Sequence, residues 1–278
     1  MMWVNGIVTD ILLKISKMKN DTCLLTIVYP GVKNHIKNFE KTIISQSDQN
    51  FDLVIICNKL KKFNINIKKK VKFFKINEGI ISSRFTMLQI IKSLRYKKII
   101  FFDIDDTMAK NRIKFLKKKL IDNKIVVNDI NVVSKNKIIK NYISKRIKNN
   151  SKIMFKNLIN YNFMGMTNTS LQASILKKVK IKRNNKICIF DWFFWSLLLR
   201  DYDALFTKNT YTNYFVRKNS TTYLPINKDN ANINKIRLIK KKHLQQIRKI
   251  FGNFDERYDI SKIKNIKFNK KYSFWWEI

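Results

Sequence analysis

Asp103, Asp105 and Asp106 crowd together immediately after the apolar run Ile99–Phe102. Carboxylates at the mouth of a buried strand repel one another and lose hydration, so a positive group belongs among them. Hard divalent cations prefer oxygen ligands, which makes a metal the natural candidate. A solvated acidic turn fits the bare Asp-x-Asp tripeptide equally well. A fourth carboxylate, Asp191, is the one acid in the strongly apolar stretch Ile189–Leu199. Two jobs suit it. Asp at the start of a helix commonly caps it. A carboxylate set among aromatic rings is also desolvated, which raises its pKa toward neutrality and makes it a general base.

The elements that must hold these groups follow from the apolar pattern. Leu24–Tyr29 reads as a strand ended by Pro30-Gly31, and Phe51–Cys57 and Val71–Ile76 read as the next two. Ile36, Phe39, Ile43 and Ile44 fall at helical spacing, as do Ile81, Phe85, Leu88 and Ile91. With the strand Ile99–Phe102, the order is strand, helix, strand, strand, helix, strand. That alternation predicts a mostly parallel sheet covered by helices, whose ligands sit beyond the carboxyl ends of the strands. Pro30, Asn58 and Asp103 all lie just past such ends.

Further along, Asn111–Leu120 reads as a basic helix and Lys124–Asn128 as a short strand leading into Asp129. Lys135–Lys152 is poorly patterned and reads as a surface excursion, with a helix over Ser151–Asn160. Phe163–Thr169 carries few charges and a rare glycine, so it predicts a buried segment approaching the site. Ile189–Leu199 is apolar on nearly all sides, as a core helix is. Ala204–Thr207 and Tyr211–Val216 read as two strands. Ile236–Phe251 is a basic helix with Ile239, His243, Ile247 and Ile250 along one side, and the aromatic end Phe274–Trp276 belongs against the domain, a partner or a lipid interface.

Composition sets the outer bounds. With 278 residues, 45% of them hydrophobic, the chain can bury an ordinary core. Its formal charge is +39, from 58 Lys and Arg against 19 Asp and Glu, which means attraction to polyanions: nucleic acid, anionic lipid or phosphorylated substrates. Cys23, Cys57 and Cys188 are an odd, widely spaced set. They support neither a zinc site nor a disulfide framework, and fit reduced thiols in a cytoplasmic protein. No run of eighteen apolar residues exists to span a membrane. Met18 stands just before the first clear strand, so either Met1 or Met18 serves as a start.

Taken in order, these pieces resemble a family 2 glycosyltransferase with the GT-A fold, of the bacterial surface-polysaccharide type. The resemblance rests on Leu25–Pro30, Phe39–Ser47, Phe51–Ile56, Asn77-Glu78-Gly79 with Arg84, Phe102–Asp106 and Phe190-Asp191-Trp192. It divides the chain into an extension (1–20), a GT-A domain (21–217) and a basic helical tail (218–278). It implies a metal-dependent inverting transfer from a nucleotide-sugar donor to a glycan or lipid-linked acceptor. Tyr29, Pro30, Asn58 and Arg84 would line the donor site, and Asp103 would meet the ribose or base. Asp105 would bind Mg²⁺ or Mn²⁺, and Asp191 would be the base. The basic tail, Lys235–Arg248, suits peripheral contact with an anionic inner leaflet. Two places depart from the family pattern. Cys57-Asn58-Lys59 stands where many relatives have an acidic pair, and Arg217-Lys218-Asn219 lacks the histidine of Arg-x-His.

Three rival readings remain. Asp103-x-Asp105-x-Thr107 also matches the first motif of haloacid-dehalogenase-like phosphatases, with Asp103 as nucleophile. That motif normally lies on the first strand, and here three strands precede it. The net charge also prompts a nucleic-acid-binding protein, yet it is spread along the chain and no recognition module appears, so no specific nucleic acid is expected. The third rival is a binding protein on an inactive glycosyltransferase scaffold.

Overall fold

The strands β1 (Thr22–Val28) and β2 (Asp52–Asn58) are buried at every position, as strands covered on both faces are. Alternate residues feed two separate cores. Leu25, Ile27, Val54, Ile56 and Phe101 face one, while Leu24, Val28, Leu53, Ile55 and Phe102 face the other. The computed structural model describes residues 20–134, 137–159, 161–179, 183–184, 186–216 and 230–252. Helix α1 (Lys33–Ile44) covers the second face through Phe39 and Ile43, and α2 (Ile80–Ser93) covers the first through Phe85, Leu88 and Ile91.

β3 (Val71–Ile76), β2, β1 and β4 (Lys98–Phe101) form a parallel half-sheet in that order. The second half contains β5 (Thr107–Met108), β6 (Ile125–Ser134), β7 (Lys137–Ile139), β8 (Lys152–Ile153), β9 (Thr169–Gln172) and β10 (Ala204–Phe215). It is mixed. β6 and β10 pair in parallel, but β9 lies antiparallel between β4 and β6, and β5, β7 and β8 also pair antiparallel. The remaining helices are α3 (Arg112–Lys119), α4 (Phe155–Leu158), α5 (Ser174–Lys178), α6 (Phe190–Leu199) and α7 (Asn230–Phe251).

Several expectations change here. The strand at Lys124–Asn128 runs on to Ser134 because its buried polar residues find partners. Asp129 Oδ1 accepts the N–H groups of Ile130 (2.9 Å), Ile143 (2.8 Å) and Ser144 (3.3 Å). The two late strands are one, β10, with a register shift between Thr207 and Tyr211. The helix expected over Ser151–Asn160 shrinks to α4 behind the short strand β8, and another short strand, β7, falls within the supposed surface excursion.

α7 is docked on the domain. His243 and Ile247 are buried, Phe251 meets Phe155 edge-to-face at 5.2 Å, and His243 stacks on Trp192 of α6 at 4.0 Å. The middle of its apolar side is spent on the core, Ile250 and Leu238 are exposed, and Arg237, Lys241, Lys242 and Lys249 face outward. The expected interface at Phe274–Trp276, residues 1–19, and Arg217 and Lys218 lie outside the described residues.

Candidate active site

β4 ends beside Leu25 while β1 runs on to Val28, and the residues that follow the two strands form the centre of the site. Tyr29 follows β1. Its hydroxyl lies 3.1 Å from Ser83 Oγ, on the first turns of α2. The next residue on α2, Arg84, sets its guanidinium 6.0 Å from the Tyr29 ring and 3.6 Å from Asp103 Oδ1. Asp103, half-buried, thus gains the positive neighbour its sequence demanded.

Asp191 reaches the same place from α6. The N-cap of that helix is Ile189, which makes no side-chain cap, and Asp191 sits inside the first turn. Its Oδ2 accepts the Met166 N–H at 3.3 Å. Asp191 is therefore not the N-cap residue of α6, although its carboxylate also meets its own N–H in the first turn. Phe163–Thr169 is the buried approach the sequence predicted: Met164 and Met166 are buried, and Gly165 N–H donates to Asn168 Oδ1 at 2.7 Å.

The charges feel one another. Burial pushes the Asp103 carboxyl up to about 6, Arg84 pulls it back, and Asp105 and Asp191 push it further. Burial also raises Asp191, opposed by Arg84 and by the Met166 N–H. Arg84 loses hydration, yet Tyr29, Asp103 and Asp191 together hold it more firmly protonated than an ordinary arginine. Asp106, fully enclosed, is raised strongly by burial and then by Asp105 and Asp103, while its Oδ1 accepts the Phe215 N–H at 3.0 Å. Asp103 feels the charge of both Asp105 and Asp191.

Two predicted residues stand differently. Pro30 is exposed in the turn with Gly31, whose φ of +94° favours glycine there. Asn58 is buried, and its amide is engaged by the backbone of Glu78: Nδ2 donates to the carbonyl at 3.0 Å and Oδ1 accepts the N–H at 2.9 Å. It ties β2 to the turn after β3, which leaves one amide N–H for any ligand.

Sequence reading missed Arg112. It is completely buried on α3, inside what read as a solvated basic helix. Burial pulls its pKa down to about 9, with Asp106 and Asp103 pulling it back up. The available signal was slight: it is an arginine among lysines, one helical turn from the buried Leu116.

Asp103, Asp105, Asp106 and Asp191 bring four carboxyl groups near the guanidiniums of Arg84 and Arg112, and burial favours the neutral form at Asp103, Asp106 and Asp191. Among the described residues, no cluster of three or more His, Cys, Asp or Glu closes around an ion.

No protein-family profile matches the sequence, and no curated protein matches it. Solved structures do. S. aureus TarS 1–349 in complex with UDP-GlcNAc superposes with a TM-score of 0.55 at 14% identity, covering 89% of this chain and 76% of that one. A longer S. aureus TarS structure gives 0.56 at 13% identity, over 89% and 46%. GalNAc-T7 with UDP, GalNAc and Mn²⁺ gives 0.57 at 11% identity, over 89% and 57%. The chain has the GT-A fold. The phosphatase reading, which needs the acidic motif on a first strand, falls with that finding.

Proposed function

We propose that this chain is a metal-dependent inverting glycosyltransferase that uses a nucleotide-sugar donor. The observation that carries the reading is the convergence of Asp103 and Asp191 on Arg84, at the carboxyl ends of β1 and β4, in a fold shared with UDP-sugar complexes. Asp105 would hold Mg²⁺ or Mn²⁺, and Asp103 would lie beside the donor ribose. When bound, the cation neutralises charge on the diphosphate. Tyr29 and Arg84 flank the donor, and Arg84 adds a second positive charge near the leaving group.

Asp191 takes the proton of the acceptor hydroxyl. The hydroxyl oxygen forms its bond to the anomeric carbon as the bond from that carbon to the diphosphate oxygen breaks, and the nucleoside diphosphate leaves. Attack from the opposite face inverts the centre. Desolvation suits Asp191 to this work, because a base is most effective when its pKa nears the working pH.

Thermal stabilisation by a panel of nucleotide sugars, with and without Mn²⁺, tests the reading. At least one donor should stabilise the protein in a Mn²⁺-dependent way, and stabilisation by none would overturn it. Asp105→Asn should weaken the Mn²⁺-dependent binding by more than about 10²-fold, leaving the unliganded melting point unchanged. Unaltered binding would remove Asp105 from the metal. The acceptor is a glycan or lipid-linked, reached through the outward lysines of α7 at an anionic surface, each contributing about 1 kcal/mol. Co-sedimentation with anionic vesicles should fall when Lys241 and Lys249 become Glu; no change would sink the membrane contact. No described helix is long and apolar enough to cross a membrane.

A further inference from the structure

One guanidinium bridges the two halves of the site. Arg112 Nη2 donates to Phe101 O at 3.1 Å, at the end of the strand that leads into Asp103. The same nitrogen donates to Thr167 O at 2.9 Å. Thr167 follows Met166, whose N–H is the one held by Asp191. Nε is anchored on Asn128 Oδ1 at 2.8 Å, and Nη1 reaches Met108 Sδ at 3.5 Å. Asn128 in turn donates to Thr212 Oγ1 at 3.1 Å, and that hydroxyl donates to Thr167 O at 3.1 Å. Arg112 thus touches the strand before the acidic turn, the turn's exit and the loop behind Asp191. Lysine, a point charge without a fork, cannot reproduce two donations from one nitrogen together with the Nε anchor.

We propose that Arg112 is a positioning residue that fixes the separation between the Asp103–Asp106 turn and Asp191. The proposal rests on the reading of Asp191 as the base. A buried, fully bonded guanidinium is costly to desolvate, and its loss takes the side-chain donor from Phe101 O and leaves Thr167 O to the Thr212 hydroxyl. The consequence is distance: with the bridge gone, the Phe163–Asn168 loop relaxes and Asp191 drifts from the donor. A displacement of about 1 Å at this range costs on the order of 10²-fold in turnover.

The test is Arg112→Lys, alone and combined with Asp191→Asn. Thr212 still holds Thr167 O in this variant, so the loop keeps one of its ties. Amide exchange over residues 163–168 should quicken about tenfold, the worth of one hydrogen bond to a charged group. On the donor found in the panel, kcat should fall on the order of 10²-fold while donor KM and Mn²⁺·UDP affinity stay within about twofold. In the Asp191→Asn background the same change should cost almost nothing more, because the positioned group is already gone. Unchanged exchange at 163–168, or losses that multiply in the double variant, would overturn the proposal. If the wild-type chain turns over no nucleotide sugar, the functional reading fails, and the exchange measurement still decides the bridge. Should Arg112→Lys fail to fold, Asn128→Ser removes the Nε anchor together with the Nδ2 donations to Asp129 O and Thr212 Oγ1, and should quicken the same loop, with unchanged exchange again decisive against the bridge.

Discussion

Around Asp103 and Arg112 the protein buries charge, and every guanidinium nitrogen of Arg112 has a partner. Around Trp192 and His243 it buries rings: Trp192 is enclosed, and His243, stacked on it, has no hydrogen-bond partner at either nitrogen among the described residues. Asp191 belongs to both regions. Its carboxylate faces the charged side, and its backbone is part of the helix that α7 packs against. The two regions position by different means. Hydrogen bonds between charges set direction but contribute little net stability. Ring packing contributes stability and little direction. Damage to the first should therefore appear in turnover, and damage to the second in unfolding.

The largest expected effect probes the charged side. Asp191→Asn should lower turnover by about 10²–10⁴-fold with donor affinity nearly constant, read by steady-state kinetics beside calorimetric binding. Normal turnover would break the assignment. Trp192→Ala probes the packed side. It removes a fully buried ring that also donates Nε1–H to Leu158 O at 2.7 Å, and should cost about 3–5 kcal/mol in denaturant unfolding. A loss below about 1 kcal/mol would show that the aromatic region is not where stability resides.

The smallest effect separates the regions by pH. Burial pushes His243 down to about 3, so it is neutral in the fold and protonates readily only when unfolded. Its contribution is fully present above about pH 6.5 and is lost as pH falls toward 3. Between pH 6.5 and 5 the loss is about 2 kcal/mol. Asp103, raised to about 6, works with the opposite sign over part of this range, so the comparison must be with His243→Phe. The stability difference between wild type and His243→Phe, followed from pH 7 to 5, should shift by that amount. A flat difference would place His243 in contact with water.

The legible and illegible parts divide along similar lines. β1, β2 and β4 were readable because unbroken apolar runs have few alternatives, and Asp103 and Asp105 stood out against them. Asp191 was visible as a lone acid among rings, but its place inside the first turn instead of at the N-cap required knowing that α6 begins at Phe190. β6 was read too short because Asn128, Asp129 and Asn131 look like a strand end. Their partners lie far along the chain, at residues such as Ile143 and Asn213. Arg112 was hidden for a related reason. In a chain this rich in lysine, one more basic residue on a short helix carries no mark of burial, and its acceptors at Phe101 and Thr167 belong to distant segments.

The place of β9 between β4 and β6 also orders events in time. A ribosome delivers β1, β2, β3 and β4 in succession, and these can pair with one another as they emerge. The far edge of β4 must then wait until everything from β5 to α4 has been made, because its native neighbour on that side is β9. Through that interval Ile99, Ile100 and Phe101 border an open edge, the kind of surface on which nascent chains pair wrongly. Closure of the edge and arrival of the loop behind Asp191 are the same event, since Thr167 runs directly into β9. The half-made protein therefore carries its acidic turn beside an unfinished sheet.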